Sequence, residues 1–361
     1  MEWLALILII PYTYIITGIY FSLKKIKPYI SASSKEISVS VVVACRKEEK
    51  YLPLLLSCLA AQDYDRDQYE VVIIDDGSSD STYNIAAVFT GIKNYKVLKT
   101  SGSGKKSAIK AGVEVCRGEL VITTDADCRM GREWLKTIAA FYSEQKTQII
   151  TGPVFLQGEK GFFQKYQELE FLSLQGVTAG TVSAGNPVMC NGANLSFVRN
   201  AYFTHADQLH PELISGDDVF LLHAVKQRRG KISWMESGEA VVTTGTEPTL
   251  QAFLKQRARW ISKAGNYSDS YTKLLAIITF VTILTQMSLL VAAIFNPVFL
   301  LIWLAAFVIK SIPDLFLLHN RAVFNKKKNL LWFFLPGQLI YPFYVLSVLL
   351  FWLFTKSDYS K

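Results

Sequence analysis

Cysteine and histidine are scarce here, and neither falls in a ligand pattern. The five cysteines, Cys45, Cys58, Cys116, Cys128 and Cys190, show no Cys-x-x-Cys spacing. That argues against a zinc ribbon and a disulfide framework and points to reduced thiols. His205, His210, His223 and His319 have no metal-ligand spacing either and read as ordinary surface or structural residues. Internal repeats and low-complexity tracts are missing. The phosphate-loop pattern G-x-x-x-x-G-K-[ST] fails twice at Gly104-Lys105-Lys106-Ser107, because position 99 is Lys99 and Lys106 follows Lys105. The dinucleotide pattern G-x-G-x-x-G fails as well, since Ser107 stands where its third glycine belongs. A P-loop ATPase and a dehydrogenase are thereby disfavoured.

Charge is missing from Trp3 to Leu23, a run long enough to cross a bilayer, and Lys24, Lys25 and Lys27 follow at once. Only Glu2 precedes the run, so it reads as a retained helix with a cytoplasmic C-terminal end rather than a cleaved signal peptide. Three further spans are expected near 274–295, 298–319 and 330–354. The basic loop between the last two carries Arg321, Lys326, Lys327 and Lys328 and belongs on the same side as the first lysine cluster. The expected layout is a membrane helix at 1–23, a catalytic domain at 35–240, an interfacial helical region at 241–273 and three membrane helices at 274–355. Lys310 and Asp314, four residues apart around Pro313, are placed to pair with each other near the inner interface. The net charge of +8 is assigned to the membrane surface, with no nucleic acid as partner.

Between the spans, apolar runs of two periods alternate. Ile37–Ala44, Glu70–Asp75, Tyr95–Leu98 and Glu119–Thr124 read as strands; Glu48–Ala61, Asp80–Phe89 and Lys105–Cys116 read as helices. Such alternation predicts βαβ units and a mostly parallel, doubly wound sheet, whose ligands bind beyond the carboxyl ends of the strands.

Polar residues gather at those ends. The first strand ends in Ala44-Cys-Arg-Lys-Glu-Glu49, the second in Asp75-Asp-Gly-Ser-Ser-Asp80, the third in Ser101-Gly-Ser-Gly-Lys105 and the fourth in Asp125-Ala-Asp127. Each alone is also an ordinary turn or helix-cap sequence. Asp125 and Asp127, two apart on an extended segment, are expected on one side, where two hard oxygen donors suit Mg²⁺ or Mn²⁺ beside a substrate diphosphate. Further on, Ser215-Gly-Asp-Asp218 puts Asp217 and Asp218 at a helix start, and Gln256-Arg-Ala-Arg-Trp260 lies on a helix shortly before the membrane.

Taken in order, these stretches resemble a membrane-bound family 2 glycosyltransferase, with the GT-A fold and the motif set of cellulose, chitin and hyaluronan synthases. Asp75-Asp76-Gly77 matches the nucleotide-binding aspartates, Asp125-Ala-Asp127 the D-x-D, Gly216-Asp-Asp218 the [T/G]-E-D and Gln256-x-x-Arg259-Trp260 the Q-x-x-R-W. Two positions depart from the family: Ala44 and Lys47-Glu48 replace the usual Pro-x-x-Asn-Glu, and Asp217 replaces Glu.

The resemblance implies a sugar moved from a nucleotide-diphosphate donor, favouring UDP, to an acceptor hydroxyl. Asp218 is the expected general base, with Asp217 beside it. Ala44, Arg46, Glu48, Asp75, Asp76, Lys105, Asp125 and Arg259 would bind the donor, and Asp125 and Asp127 the metal. Gln256, Arg259 and Trp260 would meet the acceptor and diphosphate. A membrane lipid or lipid-linked acceptor at the cytoplasmic face of a bacterial inner membrane fits four spans. The alternatives are a processive β-polysaccharide synthase and, more remotely, a non-catalytic membrane scaffold.

Overall fold

The computed structural model describes residues 2–31, 37–102, 104–159, 161–210, 213 and 216–355. The chain enters through a 3-10 stretch, Glu2–Ile9, that runs on into α1 (Ile10–Leu23). Strands and helices then alternate as β1 (Val39–Cys45), α2 (Leu52–Ala60), β2 (Tyr69–Asp75), α3 (Thr82–Ala87), β3 (Tyr95–Lys99), α4 (Lys105–Val115) and β4 (Leu120–Asp125). Next come β5 (Arg129–Met130), α5 (Trp134–Gln145), β6 (Ile149–Thr151), β7 (Val154–Gln157) and the long α6 (Phe162–Ser183). β8 (Leu195–Val198), α7 (Arg199–Thr204), α8 (Asp217–Gln227), β9 (Ile232–Trp234) and β10 (Val242–Gly245) complete the mixed region. α9 (Leu250–Ser262) leads to α10 (Ser270–Phe295), α11 (Val298–Phe324) and α12 (Phe334–Thr355).

Two compact units form. Among the described residues, one holds 27–157 and 189–245, the other 2–26, 158–188 and 246–355. The first is built on a seven-stranded sheet of order β3-β2-β1-β4-β8-β6-β9. The β-branched run of β1 is buried and pairs in parallel with β2 on one side and β4 on the other, as a continuous apolar run should in a sheet covered on both faces. β8 runs antiparallel to β4 and β6, so the sheet is mixed at that end. The buried Glu70 of β2 is matched by Lys96 at 2.8 Å and the Ser40 hydroxyl at 2.7 Å, which keeps its charge tolerable. A small second sheet, β5-β10-β7, includes β10 from the stretch expected to be an interfacial helical region.

Register sets the working edge. Ala44 lies opposite Ile74 and Asp125, and Cys45 opposite Asp75, so β1, β2 and β4 finish level. The acidic sequences that follow them therefore leave the sheet together.

Among the described residues, the second unit contains four helical segments long and apolar enough to cross a membrane, Ala5–Leu23, Ser270–Phe295, Val298–Phe324 and Lys328–Thr355. α6 belongs with them, whereas the sequence reading ran one domain from 35 to 240. Its glycines explain the fit: a Cβ on Gly176 would fall 2.3 Å from Leu317 and one on Gly180 2.5 Å from Ile19, so only small residues let α1 and α11 approach this closely. The Ser183 hydroxyl also donates to the Ser22 carbonyl at 2.9 Å. Lys310 and Asp314 do pair, at 2.8 Å and buried. Tyr12 of α1 and Gln338 of α12 donate to the same carboxylate at 2.8 and 3.1 Å, so three helices share one ion pair.

Candidate active site

The nucleotide-binding candidates sit where β2 ends. Asp75 is fully buried; one oxygen accepts from the Ser78 N–H at 3.3 Å, and the other, Oδ1, has no hydrogen-bond partner among the described residues. A buried orphan acceptor is costly unless a ligand donor completes it. Asp76 accepts from the Thr100 hydroxyl at 2.9 Å and the Gly104 N–H at 3.0 Å, while the exposed Arg46 lies 3.8 Å away. The second contact pins the glycine-rich loop; its Ser103 lies outside the described residues. Gly77 allows the fold-back, with φ +68° and its would-be Cβ only 3.1 Å from Gly102 Cα.

The D-x-D carboxylates meet, but by a different route from the expected one. β4 ends at Asp125, and the Cys128 N–H closes a turn on the Asp125 carbonyl at 3.1 Å. Turn geometry, not strand alternation, brings Asp125 and Asp127 together. Ligand atoms of Asp125, Asp127 and Cys128 lie within 4.8 Å of one another. Asp127 is largely enclosed, and burial, reinforced by Asp125, raises its carboxyl above the usual range. The Thr244 hydroxyl of β10 donates to Asp127 at 2.7 Å and fixes its orientation. Lys105, assigned by the sequence to the donor's diphosphate, holds its ammonium against Asp125. Glu48 faces the same cluster: burial first, then Asp127 and Asp125, push its carboxyl up to about 7. Its backbone N–H donates to Thr82 at 2.7 Å, and Ala44 is at the end of β1.

Asp217 and Asp218 occupy the first turn of α8, where the helix dipole favours a carboxylate. Gly216, at φ +101°, makes the entry; Ser215 lies outside the described residues. Asp218 accepts from the Gly192 N–H at 3.2 Å, and the Gly192 carbonyl accepts from Thr123 of β4 at 2.7 Å. The base candidate is thus tied to the strand that ends in the D-x-D.

The Q-x-x-R-W residues belong to the membrane-helix unit. Arg259 is exposed and makes no ion pair among the described residues. Gln256 donates to Glu247 at 2.7 Å, and Trp260 carries the Arg257 guanidinium 4.1 Å from its ring centre. The sequence reading missed Thr244, Cys128 and Arg257 as site residues. Thr244 stands 117 positions from its partner in a four-residue strand, so no local pattern marks it.

A mixed, doubly wound sheet with acidic motifs at the carboxyl ends of its strands fits the GT-A fold. Residues 40–204 match Glycosyl transferase family 2, and this part of the chain belongs to that family. Among curated proteins, the chain is 46% identical over 93 residues to undecaprenyl-phosphate 4-deoxy-4-formamido-L-arabinose transferase of Aeromonas hydrophila subsp. hydrophila, covering 25% of this chain and 28% of that protein. It is 24% identical over 261 residues to poly-beta-1,6-N-acetyl-D-glucosamine synthase of Staphylococcus epidermidis, covering 68% and 61%. The chain thus spans less than two thirds of the length of either relative. Mannosyltransferase PcManGT from Pyrobaculum calidifontis, solved with GDP-Man and Mn2+, superposes with a TM-score of 0.60 at 17% identity, covering 99% of this chain and all of that one. At that identity the likeness establishes the fold.

Proposed function

We propose that this chain is an inverting glycosyltransferase that moves a sugar from a UDP-sugar to a membrane lipid or lipid-linked acceptor at the cytoplasmic face of a bacterial inner membrane. The observation that carries the reading is the shared edge at which Asp75, Asp76, Asp125 and Asp127 leave the sheet, with Asp218 tied to the same strand through Gly192. The orphan oxygen of Asp75 suits the imide N–H of uracil. Asp76 keeps lone pairs for a ribose hydroxyl while it holds the loop before Lys105.

Two carboxylates whose ligand atoms lie close together, with an ammonium already drawn against one of them, fit a cation. Oxygen donors of this kind suit Mg²⁺ or Mn²⁺. A divalent ion held by Asp127 and Asp125 would act as a Lewis acid toward the departing diphosphate. Asp218 takes the proton of the acceptor hydroxyl, whose oxygen attacks the anomeric carbon as the bond to the diphosphate breaks. Attack opposite the leaving group makes a β-linked product from an α-linked donor. Lys105 and Arg259 offer positive charge to the diphosphate, and Trp260 an apolar face to an acceptor ring, as the family motif implies.

A lipid acceptor is supported by the undecaprenyl-phosphate transferase relative. The longer alignment with a polysaccharide synthase favours a processive enzyme as the second reading. The test is purified protein in lipid with a panel of nucleotide sugars, Mg²⁺ or Mn²⁺ and total bacterial lipid extract, read by nucleotide release and mass spectrometry. UDP release with one lipid species gaining one hexose-sized mass supports the first reading. A ladder or insoluble product supports the second, and no nucleotide release refutes both and restores the scaffold.

A further inference from the structure

The motif on α9 contains two arginines, and their surroundings divide the work between them. Arg257 is buried: its Nε and Nη2 both point at the Glu170 carboxylate of α6, at 3.4 and 2.6 Å. Nη1 donates to the Gln256 side-chain carbonyl. The guanidinium carbon also lies close to two rings of its own helix, 4.5 Å from the Phe253 centroid and 4.1 Å from that of Trp260. Every nitrogen of Arg257 is therefore committed, and two aromatic rings pack against its guanidinium. A planar fork of this kind holds one geometry firmly. Gln256, its oxygen taken by Arg257, donates its NH₂ to Glu247 at 2.7 Å, so its amide has one orientation. Glu247 is locked in turn, its N–H and C=O both bonded at 2.9 Å to the side chain of Gln167 of α6. Tyr344 of α12 adds a hydroxyl to Glu170 at 3.2 Å.

We propose that Arg257 is a positioning residue: clamped by Glu170, it sets the pose in which Gln256 and Trp260 meet the acceptor, and it does not bind the diphosphate. This rests on the proposed role of the motif. Arg259, exposed and without an ion pair among the described residues, is then the arginine left for substrate charge. α6 becomes the platform of the motif, gripping it through Glu170 and again through Gln167. Trp260 gains its fixed ring plane from a residue outside the motif letters. The distinguishing consequence is that a change at Glu170 should be felt at Trp260 through Arg257.

The full chain in lipid nanodiscs, labelled with 5-fluorotryptophan, provides the first readout, with the Trp260 ¹⁹F resonance assigned from Trp260→Phe. Glu170→Gln, Arg257→Gln and the uncharged pair Glu170→Gln/Arg257→Gln are compared with Lys327→Met, which breaks a different ion pair of α6, to Glu168. The double variant leaves no lone charge buried and keeps the test alive if a single variant fails to fold. The expected result is a shifted or broadened Trp260 resonance in every Glu170 and Arg257 variant and an unchanged one in Lys327→Met. An unchanged resonance in the double variant, or an equal change in Lys327→Met, overturns the proposal. In the second readout, nucleotide release with total lipid extract, misplacement of the motif should raise the half-saturating lipid concentration roughly tenfold or more in the double variant. The half-saturating donor concentration should stay constant, and Arg257→Lys should recover only part of the loss. A matching rise for the donor would return Arg257 to the diphosphate and overturn the assignment. Should the wild-type protein release no nucleotide, the functional reading fails, and the resonance still decides whether the clamp exists.

Discussion

Divalent-cation binding should release protons, and Glu48 should be a main source. Its carboxyl ordinarily titrates near 4.5 and is pushed up to about 7 by burial and by the charges of Asp127 and Asp125. At pH 6.5 a group with that value is roughly three-quarters protonated. A cation on Asp125 and Asp127 removes the repulsion and favours the ionised form, so binding expels the proton. If Glu48 returns to the ordinary carboxylate range, affinity should rise by up to about twenty-five-fold between pH 5.5 and 7.5 from this group alone. The raised carboxyl of Asp127 acts in the same direction. The linked effect on stability has a definite sign. Glu48 is raised on folding, so its cation-free cost is absent below about 4.5, grows as pH climbs from there to about 7 and is fully present above that. Glu48→Gln should therefore unfold at a higher temperature than the wild type at pH 8 and at a similar one at pH 4.5. Calorimetric titration of Mn²⁺ in buffers of different ionisation enthalpy counts the protons at pH 6.5. Equal proton release by wild type and Glu48→Gln would refute the reasoning.

Three further outcomes are expected. Thr244→Val removes the hydroxyl that orients Asp127 and should weaken Mn²⁺ binding by about tenfold, as loss of a ligand's hydrogen-bond partner does; an unchanged titration would make that contact incidental. Asp218→Asn should abolish transfer while UDP binding, followed by calorimetry, stays near the wild-type value; substantial residual transfer would remove Asp218 from the base role. Lys310→Met leaves Asp314 buried without its cation and should lower stability by about 3–5 kcal/mol, whereas Lys310→Met/Asp314→Leu should recover most of it. Thermal unfolding in detergent measures both, and equal loss in the two variants would count against an ion pair shared by three helices.

The sheet was legible because its central strands are locally self-consistent. The run in β1 is uniformly apolar and β-branched, and the expected strands at 70–75, 95–98 and 119–124 fall within a residue or two of those observed. The acidic motifs stood out only together: each alone is an ordinary turn or cap sequence, and it is their succession at four strand ends that marks one edge of the sheet. What remained hidden depends on contacts distant in sequence. β5 has two residues and β10 four, too short to display a period, yet β10 brings Thr244 to Asp127. The turn at 125–128 was misread as extended chain because an Asp-x-Asp carries no mark of its backbone state.

α6 shows the same rule from the other side. It lies within residues 40–204, and it carries Lys165, Glu168 and Glu170, so by composition it reads as part of the soluble fold. Its carboxylates are answered partly from elsewhere in the chain: Glu168 by Lys327 as well as by Lys165 of the same helix, and Glu170 by Arg257. Both carboxylates are nearly inaccessible, and an unpaired charge so placed would be prohibitive. Glu170 can be buried beside bilayer-length helices only because a cation 87 positions downstream is delivered to it. Replacing Arg257 alone should therefore loosen α6 more than replacing Arg257 and Glu170 together with neutral partners, which hydrogen exchange across 162–183 would register. If Arg257→Gln and Glu170→Gln/Arg257→Gln exchange alike over that helix, pairing is not what holds α6 in its unit.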